Sequence, residues 1–375
     1  MSVAGPLLDI APVTPGEYAS IEDQCRGVIA TEQSLFIFQG EAIVALEAAA
    51  RGLGYRGTKA VNIVTGPYGA VFGEWLSEGG ALVEDLVNPF DSAVDLGRVE
   101  AALDGLGPFD LVSVVHAEAA TGTVNDVASI ARLAHSRGAV VVVDAVASVG
   151  AEPVEIDNWA LDLVVLSAQK ALAGPSGATV VVVGEAAWER LSRHPGPLRG
   201  SVLSLLDWRD RWVATDRSSL PVIPAHLETR ALGEAISRVA REGMEAVVLR
   251  HRAASAATRA GASALGLEPW AREPSEAAAV ATLVRARGHQ PSALVSASLE
   301  SSPGTRVPIS VAPGPLAAEA LRVNHTGQRA SLPVVALALV SLAGGLRTLG
   351  ERPDLPGALL AAADAWSGTY SAASR

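Results

Sequence analysis

Two charged side chains stand at the ends of apolar runs, where a folded sheet would bring them side by side. Val141-Val-Val-Asp144-Ala-Val146 sets an acid directly after a β-branched run, and Leu163-Val-Val-Leu-Ser-Ala-Gln169-Lys170 sets a lysine just after the next one. Ala171-Leu-Ala-Gly-Pro-Ser-Gly177 then turns the chain tightly. A lysine at a partly buried strand end loses some preference for its charged form, because burial penalises the cation. The neutral amine is a nucleophile toward a carbonyl carbon and forms Schiff bases with aldehydes. An aldehyde carried on a pyridine ring also needs a carboxylate that keeps the ring nitrogen protonated, so that the ring can accept electrons from a carbanion. Asp144 suits that second role. Singly, Asp144 reads as a helix cap and Lys170 as a solvated loop lysine; as a pair on neighbouring strands before a Gly/Pro turn, they read as an aldehyde-capturing site.

The elements that must position this pair are legible as alternating patterns. Residues 59–64, 81–87, 110–116, 139–143, 161–166 and 178–183 read as strands. Several are apolar without alternation, as expected of strands covered on both faces in a mostly parallel sheet. Segments 42–51, 70–78, 96–106, 126–137 and 185–193 carry helical spacing between them. Such β–α alternation predicts an open α/β sheet with ligand chemistry at the carboxyl ends of its strands. Pro195, Pro197 and the polar stretch 207–219 read as a long irregular connection, followed by a long helical region, roughly 226–264. Beyond it, strand-like 278–285 and 306–311 alternate with Ala/Leu-rich helices. The expected division is a large α/β domain over residues 1–245 and a smaller α+β domain over 246–375.

Composition narrows the partners. Hydrophobic residues make up 49% of the 375 and charged residues 18%, enough to build a large core and too little charge for a disordered chain. A net charge of -11 argues against nucleic acid or an anionic membrane surface. The single cysteine, Cys25, excludes an internal disulfide framework and multi-cysteine metal sites, and fits the cytoplasm. The histidines show no metal-ligand spacing, so no metal is expected. Neither a signal peptide nor a membrane span is expected from the pattern.

Asp144-Ala-Val-Ala-Ser148, Ser167-Ala-Gln-Lys170-Ala-Leu-Ala-Gly-Pro175 and His116-Ala-Glu-Ala-Ala-Thr121-Gly122 resemble the motifs of class V aminotransferases, which have the fold-type-I architecture of pyridoxal phosphate enzymes. Gln39-Gly-Glu41, Thr65-Gly-Pro-Tyr68-Gly69, Leu203-Ser-Leu-Leu-Asp207-Trp208 and Arg322-Val-Asn-His-Thr-Gly327 extend the resemblance over nearly the whole chain. The resemblance implies that Lys170 forms the Schiff base and later shuttles a proton, and that Asp144 pairs with the pyridinium nitrogen. It implies that Tyr68 stacks on one face of the ring and Val146 packs the other, and that Thr121 donates near the phenolic oxygen. Gly40, Glu41 and Gln169 would line the ring site, and Arg322 would hold the substrate carboxylate. His116 and Glu118 would position their loop rather than catalyse. A homodimer or higher homo-oligomer acting on a small-molecule amino donor and a 2-oxo acid is implied as well.

The phosphate end departs from most relatives. A phosphate needs backbone N–H groups and hydroxyls at a helix N-terminus, but here Glu41 opens the helix, and its carboxylate would repel a dianion. The subgroup that transaminates unphosphorylated pyridoxamine with pyruvate is similar at this position. In Ser219-Leu-Pro-Val222-Ile223-Pro224, Val222 or Ile223 falls where relatives reach the phosphate with a hydroxyl from the partner subunit, and Ser219 would substitute in a different register. A second arginine of the relatives falls near Pro313, leaving carboxylate binding to Arg322. The N-terminal arm is shorter, although Ala4-Gly-Pro6 resembles its start. The sequence therefore leaves open whether the ring on Lys170 is free pyridoxal or pyridoxamine, or pyridoxal 5'-phosphate in an amino-acid transaminase or a lyase. Cys25 lies outside the matched segments, which disfavours a persulfide-forming desulfurase.

Overall fold

The computed structural model describes residues 10–105 and 107–374. The Ala4-Gly-Pro6 stretch and the last residue of the expected helix 96–106 lie outside them. After helix α1 (Pro15–Ile29), the chain lays down β1 (Ser34–Gln39), β2 (Lys59–Val64), β3 (Leu82–Val87) and β4 (Leu111–Val115). A short hairpin of β5 (Ala117–Glu118) and β6 (Thr123–Val124) follows, and then β7 (Val140–Asp144), β8 (Leu163–Ser167) and β9 (Ala178–Val183). Seven of these strands form one sheet in the order β1-β9-β8-β7-β4-β2-β3. All pairs are parallel except those of β9, which runs against both of its neighbours.

The sequence explains the burial. Every residue of β4, β8 and β9 is buried, as runs of valine and leucine without alternation require. Helices α2 (Ala42–Leu53), α3 (Pro67–Glu78), α4 (Leu96–Gly105), α5 (Val127–His135) and α6 (Glu185–Ser192) alternate with the strands. The alanine face of α2 is fully buried, so small side chains let this helix lie close to the sheet.

Two expectations about the middle of the chain need correction. The stretch 207–219 is not wholly irregular: α7 (Leu205–Arg211) starts at Ser204, whose hydroxyl accepts the Asp207 N–H at 3.1 Å. Trp208 on α7 is buried and stacks on Phe36 of β1, with ring centroids 5.2 Å apart. Asp207, Arg209, Asp210 and Arg211 lie on this short helix, and the polar residues 215–219 follow it. Likewise, 226–264 is two helices, α8 (His226–Glu242) and α9 (Met244–Ala264), broken at Gly243 with φ 89°.

Beyond α9, a second, antiparallel sheet has the order β10-β11-β13-β12, from β10 (Glu268–Pro269), β11 (Thr282–Arg285), β12 (Ile309–Val311) and β13 (Ala320–Val323). It shares a separate core with α9, α10 (Pro291–Glu300), α11 (Leu332–Thr348) and α12 (Leu355–Ala373). The strands β1 and β13 were not singled out from the sequence. A layer of alanines, including Ala117, Ala119, Ala147, Ala171 and Ala278, joins the site edge of the main sheet to this second unit.

Candidate active site

The carboxyl ends of β4, β7 and β8 open into a cavity of about 180 Å³. Glu41, Tyr68, Asp144, Val146, Gln169 and Lys170 all line it, with apolar walls from Leu46, Val115 and Ala147. Six of the residues singled out from the sequence thus meet in one cavity, although they come from four separate stretches of chain.

Asp144 is the last residue of β7, paired in register with Val115 on one side and Val165 on the other. Its Oδ1 accepts the Val146 N–H at 2.9 Å. Burial pushes its carboxyl up to about 6, against the Val146 hydrogen bond; the Glu41 charge adds to the rise and Lys170 opposes it. A cation at the open side of Asp144 would reverse that penalty.

Lys170 lies just past β8, in a turn fastened from several directions. Ala173 N–H donates to the Lys170 carbonyl at 3.1 Å, and Gly174 N–H to the Ala168 carbonyl at 2.6 Å. Arg238 of α8 donates to the carbonyls of Leu172 and Ala173 at 2.7 and 3.0 Å. Burial, then the positive charge of Arg322, lowers the Lys170 amine below its ordinary value; Glu41, Asp144 and Glu118 oppose the shift. The first two effects favour the neutral amine that attacks a carbonyl.

Tyr68 opens α3 and remains 42% exposed toward the cavity. Two buried polar residues hold the turn that carries it. Asn62 of β2 donates from its side-chain amide to the Gly69 carbonyl at 2.9 Å and to Asp85 at 2.7 Å, while accepting from Ser113 at 2.7 Å. Glu118 of β5 faces the same turn from the other side. Sequence reasoning missed Asn62, whose one visible signal is a lone amide inside an otherwise apolar strand.

Glu41 is the N-cap of α2: its Oε2 accepts the Ile43 N–H at 2.9 Å, and its Oε1 accepts from the Gln169 side-chain amide. Gly40 does not line the cavity but forms the corner before it, at φ 125°, where a side chain would be strained. Its N–H donates to the Gly177 carbonyl and its carbonyl accepts from the Thr179 hydroxyl, both at 2.9 Å. Thr121 is not brought to the cavity surface either. It is fully buried in the β5–β6 hairpin, with its hydroxyl 2.7 Å from that of Thr123. His116 is buried edge-on against Trp159, and burial pushes it down to about 4.

Arg322 reaches the site from β13. Its Nε donates to Asn324 Oδ1 at 2.6 Å and one terminal nitrogen to the carbonyl of Ala119, a cavity residue, at 3.3 Å. Among the described residues its other terminal nitrogen has no protein partner, so part of the guanidinium fork is free for a carboxylate. Among those residues there is no cluster of metal ligands, and no helix is long and apolar enough to cross a membrane.

Known proteins share this sequence pattern and fold. The family model for class-V aminotransferases matches residues 15–329. A pyridoxamine–pyruvate transaminase of Mesorhizobium japonicum is 30% identical over 92% of this chain and 87% of its own. A serine–glyoxylate aminotransferase of Methylorubrum extorquens is 25% identical over 82% and 77%. The crystal structure of pyridoxamine–pyruvate aminotransferase from Mesorhizobium loti superposes with a TM-score of 0.87 at 29% identity, covering 95% of this chain and 91% of that one.

Proposed function

The chain belongs to the class V aminotransferase family, with its fold-type-I architecture, and on that footing we propose that it moves an amino group between unphosphorylated pyridoxamine and a small 2-oxo acid such as pyruvate. The observation that carries this reading is the Glu41 carboxylate at the N-terminus of α2. A phosphate would need the free N–H groups of that helix end, but Glu41 already accepts from Ile43 there and is tied to Gln169 beside Lys170. A dianion beside it would meet like charge. A neutral hydroxymethyl group can instead donate a hydrogen bond to the same carboxylate. In the register that puts Ile223 where relatives reach a phosphate, this residue, 80% exposed, offers no hydroxyl.

A pyridoxal-type ring fits the remaining residues, and when bound it supplies the electron sink for breaking a bond at the substrate Cα. Lys170 Nζ would capture the aldehyde carbon and afterwards carry a proton to and from the reacting carbon. Asp144, held by the Val146 amide, would hold the proton of the ring nitrogen in place. Tyr68 and the buried Val146 side chain would hold the ring between them and exclude water. Arg322 would bind the 2-oxo acid carboxylate and so fix the orientation of its Cα bonds. The proposed assembly is a homodimer in the cytoplasm, a setting that suits the single, buried, free Cys25. The domain division at residues 245 and 246 belongs to the same reading, supported by two separate cores, of which the first reaches Val247 at the start of α9 and the second begins at Ala254.

The test is to purify the protein, look for a retained chromophore, and add pyridoxal or pyridoxal phosphate separately. Tighter binding of pyridoxal is expected. Retention of the phosphate form through purification, together with turnover of ordinary amino acids, would refute the reading.

A further inference from the structure

Glu118 is fully buried, yet nothing in the transfer chemistry uses its carboxyl. The side chain lies across Gly66: a Cβ at that position would come within 2.2 Å of Glu118 Cγ and 2.4 Å of Oε2. Gly66 is the N-cap of α3 and brings no side chain to cap it. Glu118 stands where that cap would be, with the backbone amides of Tyr68 and Gly69 facing it and the Ala120 N–H 3.4 Å from Oε1. Its other oxygen, Oε2, is buried without a hydrogen-bond partner. The ionisable groups around it are Asp144 from β7, Lys170 beyond β8 and the Tyr68 phenol from α3.

We propose that Glu118 is a positioning residue that works as a neutral carboxylic acid: clamped over Gly66, it braces the turn that carries Tyr68 and leaves the negative charge of this wall to Asp144. Two buried carboxylates within reach of each other's charge disfavour double ionisation, and the more weakly hydrogen-bonded one keeps its proton. Asp144 accepts a 2.9 Å amide bond, whereas the Ala120 N–H is 3.4 Å from Glu118 Oε1 and the amides of Tyr68 and Gly69 face the carboxyl without closing a hydrogen bond to Oε2. Burial, then the Asp144 charge, pushes the Glu118 carboxyl up to about 8, with the nearby backbone amides opposing.

This inference rests on the proposed ring site for its binding arm, but not for its stability arm. A carboxyl raised in the folded state contributes stability at low pH that is lost as pH rises through the folded value, here near 8. Glu118→Gln cannot ionise. Melted without any ring from about pH 5 to about pH 9, it should gain on the wild type by several degrees as pH rises. A difference that does not change with pH, or that shrinks, overturns the neutral acid. In the binding arm, Glu118→Gln should keep pyridoxal affinity within about threefold, while Glu118→Ala and Gly66→Ala should each lose roughly tenfold or more. Glu118→Gln as weak as Glu118→Ala would show that charge is needed, and wild-type affinity in Gly66→Ala would remove the clamp. If the wild type captures no pyridoxal, the ring-site reading fails, while the melts still decide the charge state of Glu118.

Discussion

The side-chain amide of Gln169 donates to the carboxylate of Glu41, so the neighbour of Lys170 is bonded to the residue that caps α2. The carboxyl group of Glu41 is thereby held on the cavity wall by an amide and a helix N-terminus. Replacing Glu41 with serine keeps a cap, since serine accepts well at this position, but removes the charge. Glu41→Ser is expected to improve affinity for pyridoxal phosphate about tenfold or more relative to pyridoxal, measured by titration of the ring-free protein. An unchanged ratio would remove the electrostatic argument.

Gly327 packs on the turn of Lys170. Its φ is 64°, and a Cβ there would lie 2.9 Å from Ala173 Cβ and 3.1 Å from the Lys170 carbonyl oxygen. Gly327→Ala is therefore expected to cost about 1–3 kcal/mol of stability and to slow capture of pyridoxal by displacing Lys170. Denaturant melts and rapid-mixing absorbance read the two effects separately.

Asp144 carries a pH signature in the ring-free protein. Its folded-state value, raised to about 6, lies above that of an unfolded aspartate, so its contribution to stability is present at low pH and lost as pH rises through 6. Asp144→Asn should therefore melt higher than the wild type near pH 7.5, by roughly 2–3 kcal/mol at most, and the gap should close toward about pH 4. The same substitution should weaken pyridoxal binding, because the ring nitrogen loses its counter-charge. A variant that is less stable at both pH values would contradict the assignment of a buried, penalised carboxylate.

Arg322 should separate the two substrates. Arg322→Ala is expected to raise KM for the 2-oxo acid by about two orders of magnitude, with pyridoxal capture by Lys170 changed far less. Arg322→Lys should recover little, because a point charge does not reproduce the planar fork. An equal loss in both substrates would place Arg322 elsewhere in the mechanism.

The sequence revealed this site where local patterns have long-range meaning. Asp144 and Lys170 follow buried, unalternating strands, and such strands belong in the middle of a parallel sheet, so their carboxyl ends had to meet. The strand carrying Arg322 was hidden: Ala320–Val323 is four residues long, and its pairing with β11 and β12 is antiparallel and non-local. The break at Gly243 was hidden for another reason, because the helical pattern continues on both sides of it. Asn62 and Glu118 act through buried contacts with the first turn of α3, which no spacing rule encodes. The bond between the Thr121 and Thr123 hydroxyls is a further local contact that the motif does not encode.

The central claim is that the ring on Lys170 is a substrate that leaves. The direct measurement is to mix ring-free enzyme with excess pyridoxamine and pyruvate, without any phosphorylated ring, and follow free pyridoxal and alanine. The expected result is equal amounts of both products, in large excess over enzyme, and none with Lys170→Ala. No release beyond a single equivalent, alongside sustained amino-acid turnover once pyridoxal phosphate is added, would contradict it.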